Sequence, residues 1–323
     1  MKKHFKKLLL MALMAVMAVG LIACGTDKSD NESTKEEKTS VTITSLDASK
    51  NEIELEVPYN PKRIAILDLA CLDIIDELGV GDRVVGMAST SIDYLEKYSN
   101  DASIKNLGTI KEADLEAVME CEPDIIFIGG RLSKSYDALS EIAPVVYLAT
   151  DTNEGLVNSV SKNAKTIASI FGMGDKVDSL MSDFGARIDA IKKISSGKTA
   201  LVGMTTSGSF NLLGNDGRCS LIGVEAGFNN LTAVGSTSTH GNESSFETVV
   251  QQNPDYIFVM DRDSAISTAG AKTAKEIVEN ELVKTTDAYK NNHIIYLEHS
   301  NVWYTAEGGI QALDIMLKTL KKA

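Results

Sequence analysis

Three arginines carry the chemistry most readily read from this sequence. Arg131 and Arg262 each follow an unbroken apolar run, Ile125–Ile128 and Tyr256–Met260, and Arg218 follows the turn-forming stretch Gly214-Asn215-Asp216-Gly217. A guanidinium stays charged, presents several donors in one plane and stacks on aromatic rings. Arginines gathered round one opening therefore suit an anionic, oxygen-rich ligand. The competing use of each is a surface ion pair, and Asp261 and Asp263 beside Arg262 offer one. Motifs for other chemistries are missing: there is no GxxxxGK[ST] loop, no HExxH and no GxSxG. His240, His293 and His299 are not at helical ligand spacing. A nucleophile triad built from distant residues is not excluded by motif, but nothing points to one.

The elements that must position these arginines come from an internal repeat. Leu115–Arg131 (LEAVMECEPDIIFIGGR) aligns with Phe246–Arg262 (FETVVQQNPDYIFVMDR), identical at seven of seventeen positions. Each copy reads as a short amphipathic helix, a proline break and a buried strand, ending in arginine. Apolar runs without alternation fit parallel strands covered on both faces. Arg63–Leu67, Val84–Met87 and Val145–Leu148 in the first half, and Ala200–Met204 and His293–Tyr296 in the second, extend the pattern. Helices are expected from about Ala70 to Leu78 and from about Cys219. Between the halves, Val177, Leu180, Met181, Phe184, Ile188 and Ile191 fall on one face of a helical stretch from Gly174 to about Ile194. The expectation is an α/β protein of two Rossmann-like lobes, 41–173 and 196–323, joined by a single long helix over 174–195. A single large doubly wound domain is the alternative, disfavoured because the repeat falls on either side of the rod. Ligands of such sheets bind beyond the carboxyl ends of the strands, where Arg131 and Arg262 lie.

Composition is globular, 43% hydrophobic and 24% charged over 323 residues, with formal net charge −13. That charge argues against non-specific nucleic-acid binding. The N-terminus is a separate object. Lys2, Lys3, Lys6 and Lys7 precede the apolar run Leu8–Ala23, the layout of an export signal over 1–23. Leu21-Ile22-Ala23-Cys24 resembles the lipobox of bacterial lipoproteins, which implies cleavage before Cys24 and lipidation of its thiol; an uncleaved anchor is the alternative. Residues 25–40 contain no Ile, Leu, Val or aromatic residue, so 24–40 reads as a lipidated cysteine and flexible tether. Removing four lysines and no acid takes the mature charge from −13 to −17. The arginines would be a local basic exception on an acidic protein. Cys71, Cys121 and Cys219 lie in apolar settings and read as buried free thiols.

Val57-Pro58-Tyr59-Asn60-Pro61-Lys62-Arg63-Ile64-Ala65 and Ile74–Gly86 (IIDELGVGDRVVG) resemble segments of iron-siderophore substrate-binding proteins of ABC transporters, over about residues 41–321. Gly130-Arg131, Arg218 after its glycine-containing turn, His240-Gly241 leading to Ser245-Phe246-Glu247, and Asp261-Arg262 resemble the ferric catecholate group, in the same order. The resemblance implies a periplasmic-binding-protein-like fold of the helical-backbone type and no enzymatic activity. It implies a protein on the outer face of the bacterial cytoplasmic membrane that binds a ferric siderophore and delivers it to an ABC permease for iron uptake. Arg131, Arg218 and Arg262 would hold the anionic chelate. His240, together with Tyr304, would complete the iron shell when the chelate offers too few oxygens. Trp303 and Tyr304 would border the ligand, although Trp303 reads equally as core. Iron arrives as cargo, so no intrinsic cofactor is expected, and the protein is expected to act as a monomer. Glu141, with Glu276 or Glu279, are candidate acids for docking to the permease, though no motif selects them. Another iron chelate (hydroxamate or citrate), haem or a cobalamin is the alternative cargo, and an anchored hydrolase the more remote reading.

Overall fold

The computed structural model describes residues 38–232, 238 and 240–323. The export signal, Cys24 and the tether as far as residue 37 lie outside the described residues. Chain order begins with an antiparallel hairpin, β1 (Ser40–Leu46) and β2 (Glu52–Pro58), in register from Ser40 opposite Pro58 to Leu46 opposite Glu52. Asp47 closes its turn by accepting from the amides of Ser49 and Asn51 at 2.8 and 2.9 Å. The first lobe continues through β3 (Ile64–Ile66), α1 (Leu69–Glu77), β4 (Val84–Met87), β5 (Lys105–Asn106), α2 (Leu115–Glu120), β6 (Ile125–Ile128) and β7 (Val145–Tyr147). Its five strands are all parallel, in the order β5-β4-β3-β6-β7.

α3 (Leu156–Ile170), α4 (Gly174–Leu180) and α5 (Phe184–Ser195) lead to the second lobe. The helical rod expected over 174–195 is therefore two helices with a break at 181–183. Serine and aspartate compete with the helix backbone for hydrogen bonds; Ser182 Oγ indeed donates to the Ser179 carbonyl at 2.9 Å. The second lobe runs through β8 (Thr199–Thr206), β9 (Ser209–Leu212), α6 (Ser220–Val224), β10 (Asn229–Asn230), β11 (Asn242–Glu243), α7 (Phe246–Gln252), β12 (Tyr256–Asp261), α8 (Arg262–Ala265), β13 (Ile294–Tyr296), α9 (Ser300–Thr305) and α10 (Ile310–Leu320). Its sheet has the order β11-β9-β8-β12-β13, with β10 beside β8. β8, β10, β12 and β13 are parallel, while β9 and β11 pair antiparallel. The β8–β9 turn uses Ser207 and Gly208, both at positive φ (51° and 82°), as a tight hairpin requires.

The repeat is a repeat of structure. β6 and β12 occupy the same fourth place in their sheets. Asp114 and Ser245 cap the two preceding helices through Ala117 N–H and Thr248 N–H. Glu122 and Asn253, equivalent in the alignment, both turn left-handed at φ 43° and 40° before the shared proline. Asp124 then accepts from the amides of Lys62 and Arg63, and Asp255 from the amide and hydroxyl of Thr199. Each copy thus pins its neighbouring strand, β3 or β8, by the same aspartate.

Strand alternation divides the core in three. Ile64, Ile66, Ile125 and Phe127 face the same buried cluster as Ala200, Val202, Tyr256 and Phe258. Ala65, Leu67, Ile126 and Ile128 face a first-lobe core, and Leu201, Ile257 and Val259 a second-lobe core. One apolar core therefore runs under both sheets. α10 follows the second lobe in sequence yet packs on α1, α3 and α5. Asp73 of α1, fully buried, accepts from the amides of Gln311 and Ala312 (both 2.9 Å) at the start of α10. The expected second-lobe boundary at residue 323 thus overlooks a last helix that returns to first-lobe helices. Cys71, Cys121 and Cys219 are buried and free. Among the described residues, no helix is long and apolar enough to cross a membrane.

Candidate functional site

Arg131, Arg218 and Arg262 meet at one aromatic ring. Their guanidinium carbons lie 5.5, 4.5 and 5.7 Å from the ring centroid of Tyr304. Tyr304 sits on α9, which packs against α8 and β12 at the carboxyl end of the second sheet. Arg131 arrives from the first lobe in the tight 3-10 turn Gly130–Ser135 after β6. Glycine is required just before it, since a Cβ on Gly129 would stand 2.1 Å from Asp68 Oδ2. Arg218 stands before the left-handed Cys219 (φ 61°) and α6, and Arg262 opens α8 directly after β12.

Two of the arginines are also hydrogen-bonded to Tyr304. Arg131 donates to the Tyr304 carbonyl at 2.7 Å. Arg262 donates to the Tyr304 hydroxyl at 3.2 Å, to Thr206 Oγ1 at 3.1 Å and to Asp263 Oδ1 at 3.2 Å. Of the two acids beside Arg262, Asp263 forms the pair and is buried, and it also accepts from Ser207 N–H at 2.6 Å. Asp261 instead accepts from the amides of Ser264 and Ala274. All three arginines are half-buried. Burial, and then the charge of Arg218, lower the pKa of Arg131 against the pull of Asp68, Tyr304 and Glu307. Burial raises the Tyr304 phenol, but the Arg262 hydrogen bond and the charges of Arg218, Arg262 and Lys111 outweigh it and hold the pKa below its ordinary value.

Glu307, two residues beyond α9, accepts from Cys219 N–H at 2.9 Å. Burial pushes its carboxyl up to about 7, against the opposing effects of Cys219 N–H, Arg218 and Arg131. A cavity of about 700 Å³ opens beside Arg218 and Glu307, with Tyr147, Asp151 and Ser159 among its walls. Arg131, Arg262 and Tyr304 do not line it, so it adjoins the arginine cluster rather than containing it.

His240 is exposed, and its carbonyl accepts from Asn211 Nδ2 at 2.9 Å. Burial, then Arg262, Arg218, Lys111 and Arg131, lower its pKa, which places the imidazole in the field of the cluster and favours the neutral form. Neutral imidazole is the form that ligates metal. Among the described residues, no group of three or more His, Cys, Asp or Glu side chains could hold a metal ion. Trp303 is fully buried in the shared core, which favours the core reading of the two the sequence left open, and its indole N–H has no hydrogen-bond partner. Adjacent helix positions point about 100° apart, so a helix that aims Tyr304 at the cluster turns Trp303 away. Of the candidate docking acids, Glu141 and Glu276 are exposed, and Glu276 belongs to a capping box with Thr273. Glu279 is half-buried and accepts from the Tyr296 hydroxyl at 3.2 Å.

Sequence reasoning missed Thr206, Lys111 and Glu307. Ser207-Gly208 is a turn signal that would have ended β8 beside Arg262. Lys111 and Glu307 carry no signal, since only the path of the chain brings them to the cluster.

Residues 64–300 match the periplasmic binding protein family. The chain is 36% identical to the petrobactin-binding protein YclQ of Bacillus subtilis over 98% of both chains. It is 26% identical to the ferric-anguibactin-binding protein FatB of Vibrio anguillarum, over 82% of this chain and 83% of that one. The crystal structure of YclQ superposes with a TM-score of 0.81, covering 88% of this chain and 98% of YclQ. The periplasmic catecholate-siderophore binding protein VctP of Vibrio cholerae superposes with a TM-score of 0.79 at 30% identity, covering 88% of this chain and all of that one (100%).

Proposed function

The chain belongs to the periplasmic binding protein family, and on that premise we propose that it captures a ferric siderophore of the anionic catecholate type and hands it to an ABC permease. It is a binding protein, not an enzyme. The observation that carries the cargo class is the convergence of Arg131, Arg218 and Arg262 on one ring from two lobes and a loop. A tris-catecholate ferric complex has negative charge, hard oxygen ligands and flat aromatic faces. Guanidinium groups answer all three by charge, donor geometry and stacking. A neutral hydroxamate would make no use of the charge that the three arginines bring together. The siderophore supplies the iron ligands in this reading, so the protein itself need not. Where a chelate leaves iron positions open, the imidazole of His240 is the candidate to fill one.

The export signal and Cys24 would place the body outside the cytoplasmic membrane on a lipid anchor, with several acyl chains for stable attachment. Glu141 and Glu276 stay as candidates for permease docking, because both carboxylates are exposed. The protein works as a monomer in this reading.

Native mass spectrometry of the signal-free protein with a mixed panel of ferric catecholate, hydroxamate and citrate complexes tests the cargo. The expected result is selective retention of the catecholate complex. Arg131→Ala, Arg218→Ala and Arg262→Ala should each weaken it by about tenfold or more, the scale of a lost charge-assisted contact. Retention of a neutral chelate, with affinity unchanged in all three variants, would overturn the assignment.

A further inference from the structure

We propose that Tyr304 is a positioning residue that assembles the three arginines into one array before cargo arrives. The inference rests on the reading of the cluster as an anion site, but it concerns how that site is built. Three guanidinium groups within 6 Å of one ring centroid repel one another. Burial worsens this, because less water is left to screen them. The face of an aromatic ring carries partial negative charge and attracts cations without itself being ionised. Tyr304 offers the cluster three separate holds: its ring to all three arginines, its hydroxyl to Arg262, and its carbonyl to Arg131. Arg131 belongs to the first lobe and Arg262 to the second, so the same residue also fixes the distance between cations from two sheets.

The phenol is not presented to solvent. Tyr304 is 3% exposed, and the guanidinium groups cover it. Cargo then meets donors that are already ordered, and binding is spared the cost of gathering three like charges. This role differs from iron ligation, in which the phenolate oxygen itself would bond the metal.

Two measurements test it. The first needs no ligand: side-chain Nε–Hε spectra of the free protein labelled with 15N-arginine, assigned through Arg131→Lys, Arg218→Lys and Arg262→Lys. Wild type should show upfield ring-current shifts for the cluster resonances. Tyr304→Leu should remove them. Tyr304→Phe should preserve them while speeding water exchange at Arg262 alone, and it keeps the test open if the leucine variant fails to fold by circular dichroism. Unshifted resonances in wild type, or shifts that survive Tyr304→Leu, would overturn the proposal.

The second measurement is titration with the ferric complex of 2,3-dihydroxybenzoate. Tyr304→Leu should weaken binding by about tenfold and Tyr304→Phe by no more than about threefold. The Tyr304→Leu effect should shrink when Arg218→Ala is already present. The charge-transfer absorption of the bound complex should be the same in wild type and Tyr304→Phe; a change in that band would make Tyr304 an iron ligand and refute a positioning role. If wild type does not bind the catecholate probe at all, the cargo reading fails, and the ligand-free spectra still decide the array.

Discussion

Glu307 places a carboxyl whose pKa is pushed up to about 7 beside two of the three arginines. Burial is the leading cause, Glu225 adds to it, and Cys219 N–H, Arg218 and Arg131 oppose it. Below that pH the group is neutral and the cluster keeps its full positive charge. Above it, a negative charge faces the place an anionic cargo would take. Affinity for a ferric catecholate should therefore fall as pH rises through about 7, by roughly three- to tenfold for an interaction at this range in a partly screened site. Glu307→Gln should flatten that dependence between pH 6 and 8 and leave the affinity near its low-pH value. Parallel titrations of wild type and variant separate this from the proton chemistry of the chelate, which is common to both. Identical pH profiles would remove Glu307 from the site's electrostatics. Arg262 makes a related point. Its identity and place are plain from the repeat, but its orientation depends on Thr206, Asp263 and the Tyr304 hydroxyl.

Among the elements, α10 matters most for how the site is held. It follows the loop that carries Glu307, and it begins where Asp73 of α1 receives two of its amides. Tyr94 adds a third donor to that carboxylate at 2.6 Å. Burial raises the Asp73 carboxyl to about 6, so it is ionised at neutral pH and matched by three donors. Asp73→Ala leaves two helix-start amides and a phenol unpaired in the core. The expected loss is about 2–3 kcal/mol, read as a lower urea midpoint with unchanged m-value. A shift within error would mean that water or a local rearrangement satisfies those donors. Element type and position were largely legible in the sequence: β6 and β4 match the expected 125–128 and 84–87, and α1 differs from its expected range by a residue. The β1–β2 hairpin was missed although its alternation, with Ile43 and Val57 turned into the core, is a strand signal, because the reading followed only unbroken apolar runs. The break in the inter-lobe helix was missed for another reason. The apolar stripe from Val177 to Ile191 continues across it, and periodicity does not register a three-residue interruption that keeps the same face.

For the whole molecule, the continuous core beneath both sheets argues for small movements. Ile64 and Phe258, from different sheets, belong to one buried cluster, and α10 ties the end of the chain to first-lobe helices. Opening a hinge would expose part of that core and break the Asp73 contacts. Saturation with cargo should change the radius of gyration in small-angle X-ray scattering by less than about 1 Å, smaller than hinge closure around a ligand produces. A contraction well beyond that would mean that the shared core divides on binding.

The sequence by itself determined the two α/β halves, the internal repeat, the arginine closing each repeated strand and the family resemblance. These features are written in short-range periodicity and motif spacing, which neighbouring residues alone express. Tertiary structure decided which groups meet. Arg131 and Tyr304, 173 positions apart, touch because β6 and α9 end at the same place. Trp303 and Tyr304, adjacent in sequence, are both buried, yet it is the Tyr304 ring that the arginines meet, because successive helix residues point in different directions. The acidic surplus of the chain gave no sign of this cluster. A cluster is a property of distance, and net charge contains no distances.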